Sequence, residues 1–134
     1  KKYYSFFVKN ENDLDYGLIH ADAVRDNVLV ENSGKVSLID FDDSGYGFRL
    51  FDIATILFHY INEKDFLNIK KNIIDGYLKK RDLDFKYLNH FILFRSFTYI
   101  GWNISRINET NGHKRNKKYI ENTFNLIKTL EIEL

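Results

Sequence analysis

The 134-residue chain is 44% hydrophobic and 29% charged. That is enough for one domain with a real core and too short for two, and it excludes a disordered or fibrous protein. A formal net charge of +1 gives no bulk attraction to nucleic acid or membrane, and the lack of cysteine rules out disulfides and thiolate zinc sites. In chain order, the opening KKYYSFFVKNEN sets basic residues before an apolar patch that Lys9 interrupts too early for a secretory leader, so a cytoplasmic protein is expected. Residues 28–31 (VLVE) and 36–39 (VSLI) are short, β-branched-rich segments separated by Asn32, Ser33 and Gly34, which predicts a β-hairpin.

Beyond the hairpin the pattern turns helical. Leu50, Ile53, Ala54, Leu57, Phe58 and Ile61 recur at helical spacing and line one face of a first helix. A second helix is predicted from Glu63 to near Lys80, with Phe66, Ile69, Ile73 and Tyr77 inward. The third, from near Phe85 to Arg106, is apolar nearly all round and should occupy the centre of a helical bundle. Its stretch FILFRSFTYIGW carries Arg95 and is shorter than a bilayer requires. Tyr119, Ile120, Phe124, Ile127 and Leu130 mark a fourth helix. The expected fold is α+β and mainly α: a short β-hairpin with acidic ends packed on a helical bundle, one domain over residues 1–134.

Polar residues cluster where that hairpin meets the chain around it. His20-Ala21-Asp22 is followed by Asn27, just before the first strand, and by Asp40, just after the second. Antiparallel pairing brings the outer ends of two strands together, so Asn27 and Asp40 should share one end of the ribbon. Phosphoryl transfer asks a protein to position a nucleophile and to neutralise phosphate charge, usually through magnesium. Magnesium takes hard oxygen ligands shared with phosphate and water, a demand that Asn27 and Asp40 meet. Asp22, one loop away, would accept the proton of a substrate hydroxyl, a role worth roughly 10²–10⁴-fold in rate.

These residues resemble a known family. His20-x-Asp22-x4-Asn27, then Ile39-Asp40-Phe41-Asp42 and Phe51-Asp52-Ile53-Ala54, are similar to the aminoglycoside phosphotransferase and choline kinase-like superfamily, which shares the eukaryotic protein kinase fold. HAD followed by RDNVL is also similar to the type II homoserine kinase branch, and IDFDDSGYG to other bacterial phosphotransferases of the superfamily. The resemblance covers residues 17 to about 58. It implies that Asp22 is the catalytic aspartate, that Asn27 and Asp40 bind ATP through Mg2+, that His20 buttresses the catalytic loop, and that Asp52 holds the loop backbone. Ala21 stands where most relatives carry glycine, and Ala23-Val24-Arg25 replaces the common Leu-His-Pro. No glycine-rich phosphate loop and no Val-Ala-Ile-Lys lysine precedes His20. The resemblance therefore implies the C-terminal lobe of a longer phosphotransferase, with its N-terminal ATP-binding lobe absent and little turnover expected from this chain alone.

Other interpretations compete at each motif. Asp22 and Asn27 are common turn residues, but turn chemistry does not also supply Asp40 and Asp52 in register. An EF-hand counted from Asp40 would need glutamate where Phe51 stands, so a calcium loop is excluded. Gly45-x-Gly47 lacks the third glycine of a dinucleotide fingerprint, Leu50 standing there, and should simply turn the chain into the helix. Asp52 also suits a helix N-cap. Asp42 and Asp43 are either solvated charges or contacts to a second metal or a cationic substrate group. Arg95, Tyr99, Trp102 and Arg106 fall on the third helix, where the family builds its acceptor pocket; core packing is expected of Tyr99, and a buried Arg95 needs an anionic partner. The basic run HKRNKK, His113 to Lys118, reads as a solvated loop before the last helix.

The expected function is ATP-dependent transfer of phosphate to a hydroxyl of a small-molecule acceptor, with no nucleic acid and no membrane partner. Basic residues slightly outnumber acidic ones, so an aminoglycoside acceptor is not assumed, and amino alcohols such as homoserine or choline stay open. Phosphorylation of protein hydroxyls and a non-catalytic kinase-like module are the alternatives.

Overall fold

The computed structural model describes residues 2–130. A helix α1 (Lys2–Asn10) leads into a strand β1 (Tyr16–Ile19), then the hairpin strands β2 (Val28–Val30) and β3 (Val36–Leu38), then a strand β4 (Gly45–Phe48). Four helices follow: α2 (Leu50–Phe58), α3 (Phe66–Leu78), α4 (Leu88–Ile104) and α5 (Gly112–Thr129). This is the mainly helical α+β architecture that the sequence leads one to expect, with the hairpin and the four helices after it in their expected places.

The core lies where α4 packs between α2 and α5. Leu50, Ile53, Ala54 and Leu57 of α2 meet Leu88, Phe91, Ile92 and Leu93 of α4, all nearly free of solvent contact, and Leu126 of α5 closes the far side. Burying each large apolar side chain contributes about 1.5–3 kcal/mol. The centre of the bundle is therefore α4, yet it is not covered all round: Phe94, Phe97, Trp102 and Ile104 are exposed. Among the described residues no helix is long and apolar enough to cross a membrane.

Two antiparallel ribbons sit on this bundle, β1 with β4 and β2 with β3. The β1–β4 ribbon is a departure from the sequence expectation, which made Gly45 and Gly47 a turn into the helix. Both glycines lie inside β4, Gly45 opposite Ile19 and Gly47 opposite Gly17. Glycine is a weak strand former, so the sequence carries little local signal here; the partner strand decides. Gly17 is needed because Arg49 crosses it to reach Asp15 and the Tyr16 carbonyl, and a Cβ at Gly17 would stand 1.8 Å from the guanidinium.

A second departure concerns HKRNKK, which forms the start of α5 rather than a loop. Its positive charge opposes the helix dipole. Arg115 offsets part of that cost by bonding Glu109, the Thr110 carbonyl and the buried Asn103 side chain, and Asn103 in turn donates to the Gly112 carbonyl.

Candidate active site

The segment from His20 to Asn27 leaves β1 and returns to β2 without regular strand or α-helix, so its shape depends on side-chain tethers. Asp52, in the first turn of α2, supplies the main one. Its two carboxylate oxygens accept the backbone N–H groups of His20 and Ala21, each at 2.8 Å. Charge-assisted bonds of this kind are roughly twice as strong as neutral ones. They hold Ala21 at φ +65, a left-handed conformation that costs a residue with a Cβ about 1–2 kcal/mol. Asp52 is not the N-cap of α2, a position held by Arg49, because the helix already starts at Leu50 and places Asp52 inside its first turn.

His20 is a second tether. The ring is buried, lies against Phe41 with centroids 4.6 Å apart, and donates from Nε2 to the Ile39 carbonyl at 2.9 Å. A carbonyl only accepts, which fixes the proton on Nε2 and leaves Nδ1 buried without a partner among the described residues. The loop is thereby fastened to the residue just before Asp40.

Asn27 closes the loop from the other side. Its Nδ2 donates to the Asp22 carbonyl at 2.9 Å and lies 3.3 Å from Asp22 Oδ2. Both partners are acceptors, so the amide NH2 faces Asp22 and the amide oxygen remains for another group. The β2–β3 register pairs Val28 with Leu38, and the Ile39 N–H donates to the Asn27 carbonyl at 3.0 Å, extending the ladder by one step. Asp40 comes next, exposed and at φ +63. The backbone segments that carry Asp22, Asn27 and Asp40 thus meet at the open end of the hairpin. Among the described residues no group of three His, Cys, Asp or Glu side chains could hold a metal. Asn27 and Asp40 offer instead a pair of hard oxygen donors, which suits an ion that takes its other ligands from phosphate and water.

Beside Asp22 opens a pocket of about 300 Å³, bounded by Asp43, His59, Arg95, Tyr99 and Trp102 as well as Asp22 itself. Arg95 finds the anion that its place in an apolar helix demands: Nη2 donates to Asp22 Oδ1 at 2.8 Å. The same nitrogen lies 3.3 Å from the Tyr99 hydroxyl, which pairs with His59 Nε2 at 3.0 Å. Burial, and then the Arg95 charge, hold the His59 pKa below its ordinary value, while burial raises that of the Tyr99 hydroxyl. Tyr99 packs against the core and borders the pocket together.

The sequence-derived candidates separate here. Asp43 borders the pocket; Asp42 is exposed in the turn beside it. Arg106 lies past the end of α4, over the Trp102 ring at 4.2 Å and 4.0 Å from Glu109, and does not border the pocket. His59 was not a candidate, because a histidine at the end of an apolar helix has no local signature of a pocket.

The family model described as the phosphotransferase enzyme family (APH) matches residues 8–86. Solved structures share the fold. A microcompartment-associated aminopropanol kinase superposes with a TM-score of 0.72 at 21% identity, over 92% of this chain and 43% of that one. Amicoumacin kinase hAmiN, in complex with AMP-PNP, Ca2+ and Ami, gives 0.67 at 19%, over 91% and 42%. Choline kinase LicA from Streptococcus pneumoniae gives 0.67 at 14%, over 92% and 45%. The chain spans less than half the length of each of these proteins. No match is found among curated proteins.

Proposed function

This chain belongs to the phosphotransferase enzyme family, and from that premise we propose that it forms the catalytic half of a kinase transferring the γ-phosphate of ATP to a hydroxyl of a small molecule. The observation that supports the proposal is that the bonds of Asn27 to Asp22 and of Ile39 to Asn27 bring the segments carrying Asp22, Asn27 and Asp40 to one end of the hairpin, while Asp52 and His20 hold the loop. Asp22 takes the proton of the acceptor hydroxyl and aims its oxygen at the phosphate. Asn27 and Asp40 hold Mg2+, which when bound supplies charge neutralisation on the phosphate oxygens. The other wall of the nucleotide site comes from a lobe outside these 134 residues, in keeping with the 42–45% of the similar structures that the chain covers. The 134 residues alone do not turn over, and the whole enzyme works in the cytoplasm.

The pocket beside Asp22 receives the acceptor. Its volume of about 300 Å³ suits a small molecule. Asp43 borders the pocket and makes no ion pair among the described residues, so it offers a cationic group a carboxylate. We therefore place amino alcohols first among acceptors, and two of the similar structures are kinases named for aminopropanol and choline.

A phosphate-transfer screen of the full-length protein across amino alcohols, sugars, aminoglycosides and peptides tests this, with Asp22→Asn as control. The variant should lose about 10²–10⁴-fold in kcat. Transfer as fast as that of the parent would overturn the role given to Asp22, and transfer confined to peptide hydroxyls would move the enzyme to another substrate class.

A further inference from the structure

Both oxygens of Asp22 are held, and by different parts of the molecule. Oδ2 faces Asn27 Nδ2 at 3.3 Å within the loop, while Oδ1 receives Arg95 Nη2 at 2.8 Å from the middle of α4. Asp22 is the anion of Arg95, but contacts on the arginine's own side of the pocket also hold the guanidinium. Its guanidinium lies between two rings, 5.1 Å from the Phe51 centroid and 4.4 Å from that of Tyr99, and bonds Thr98 Oγ1 and the Tyr99 hydroxyl. The side chain is only 13% exposed, and its Nε is buried with no partner among the described residues. A buried cation with an unsatisfied donor is costly, so an apolar residue would serve α4 better as mere packing.

We infer that Arg95 is a positioning residue for phosphoryl transfer: it fixes the Asp22 carboxylate from the acceptor side, so that the free lone pairs of that carboxylate meet the incoming hydroxyl in one orientation. The inference rests on the role proposed above for Asp22. With Asn27 as the only tether, a carboxylate 34% exposed at the edge of a loop would keep rotational freedom. A second tether, mounted on the most deeply packed helix, removes it. Misplacement of a reacting group by about 1 Å can cost 10²-fold in rate. Arginine suits the task where lysine does not, because a planar guanidinium can lie over aromatic rings while its N–H groups donate in its own plane.

The test follows ADP formation by the full-length protein from ATP, with aminopropanol, choline, homoserine or kanamycin as acceptor and with water alone. Arg95→Met should lower kcat about 10²-fold and leave KM for ATP unchanged. Arg95→Lys should not restore the rate, whereas added guanidinium ion should restore part of it to Arg95→Ala and none to Asp22→Asn. The double variant R95M/D22N should be no slower than D22N alone, since the two residues act as one unit. Four results overturn the inference. In the first, R95M keeps its kcat while D22N loses it. In the second, R95M loses rate only in proportion to the fraction unfolded by circular dichroism, with no guanidinium rescue. In the third, R95M is faster, which would make Arg95 a plug over Asp22. In the fourth, the double variant is slower than D22N alone. If D22N is as active as the parent, or no ADP forms with any acceptor, the phosphotransferase role of this site fails first.

Discussion

The loop from His20 to Asn27 and the hairpin that follows it invert the usual relation between polarity and burial. The loop is rich in polar groups, yet His20 is 4% exposed, Ala23 2% and Asn27 9%. The hairpin is rich in β-branched and aliphatic residues, yet Leu29, Val30, Val36, Leu38 and Ile39 are all exposed. Backbone pairing and a tight turn suffice to shape the hairpin. The loop has no ladder of its own, so its shape rests on the Asn27–Asp22 bonds within it and on partners at Asp52, Ile39 and Arg95. Precision at this site therefore resides in the irregular segment, and the regular one presents its end.

That contrast can be broken most severely at Asp52. Replacing it with alanine strips the acceptor from two backbone N–H groups and frees a left-handed residue, at an expected cost of about 2–4 kcal/mol in urea unfolding. Asp52→Asn, which keeps one acceptor oxygen, should cost less. Ala21→Gly should act in the opposite sense and stabilise by about 0.5–1 kcal/mol, because relief at φ +65 exceeds the added freedom of the unfolded chain. A destabilised A21G would show that the loop does not hold Ala21 as described.

Titration sharpens the comparison on the loop side. Burial and the Arg95 charge keep the His59 pKa below the ordinary 6.5, so the folded state binds fewer protons than the unfolded one as pH drops through that value. The stability that neutral His59 contributes is complete above about pH 6.5 and erodes below it. His59→Gln should flatten that slope, by no more than about 0.5 kcal/mol because the ring is only half withdrawn from solvent and its charge stays screened. His90, whose pKa burial also lowers, adds to the slope in the same sense. The smallest effect is expected in the hairpin. Val30 and Val36 face each other across the ladder and are both well exposed, so replacing both with threonine should move the urea midpoint by an amount worth less than about 0.5 kcal/mol.

The same contrast explains what the sequence discloses. The hairpin and α2 to α5 have local signatures, either β-branched runs around Asn32-Ser33-Gly34 or apolar residues at helical spacing. Strand β4 has none, since Gly45 and Gly47 take their conformation from β1. The start of α5 has none either, because a helix rich in lysine and arginine shows no apolar stripe there. At the site, Asp22, Asn27 and Asp40 could be named from spacing and Asp52 from the family resemblance, and Arg95 could be recognised as needing an anion. That the anion is Asp22, 73 positions earlier, is a property of packing that no local pattern encodes. His59 enters only through the Tyr99 hydroxyl.

The bidentate grip of Asp52 has a kinetic consequence. The amides of His20 and Ala21 lie outside every strand and helix, yet neither proton can exchange until its bond to the Asp52 carboxylate breaks. In deuterium both should exchange more slowly than surface-loop amides without such a partner. The stretch that carries a reactive aspartate thus borrows protection from a helix to which it does not belong.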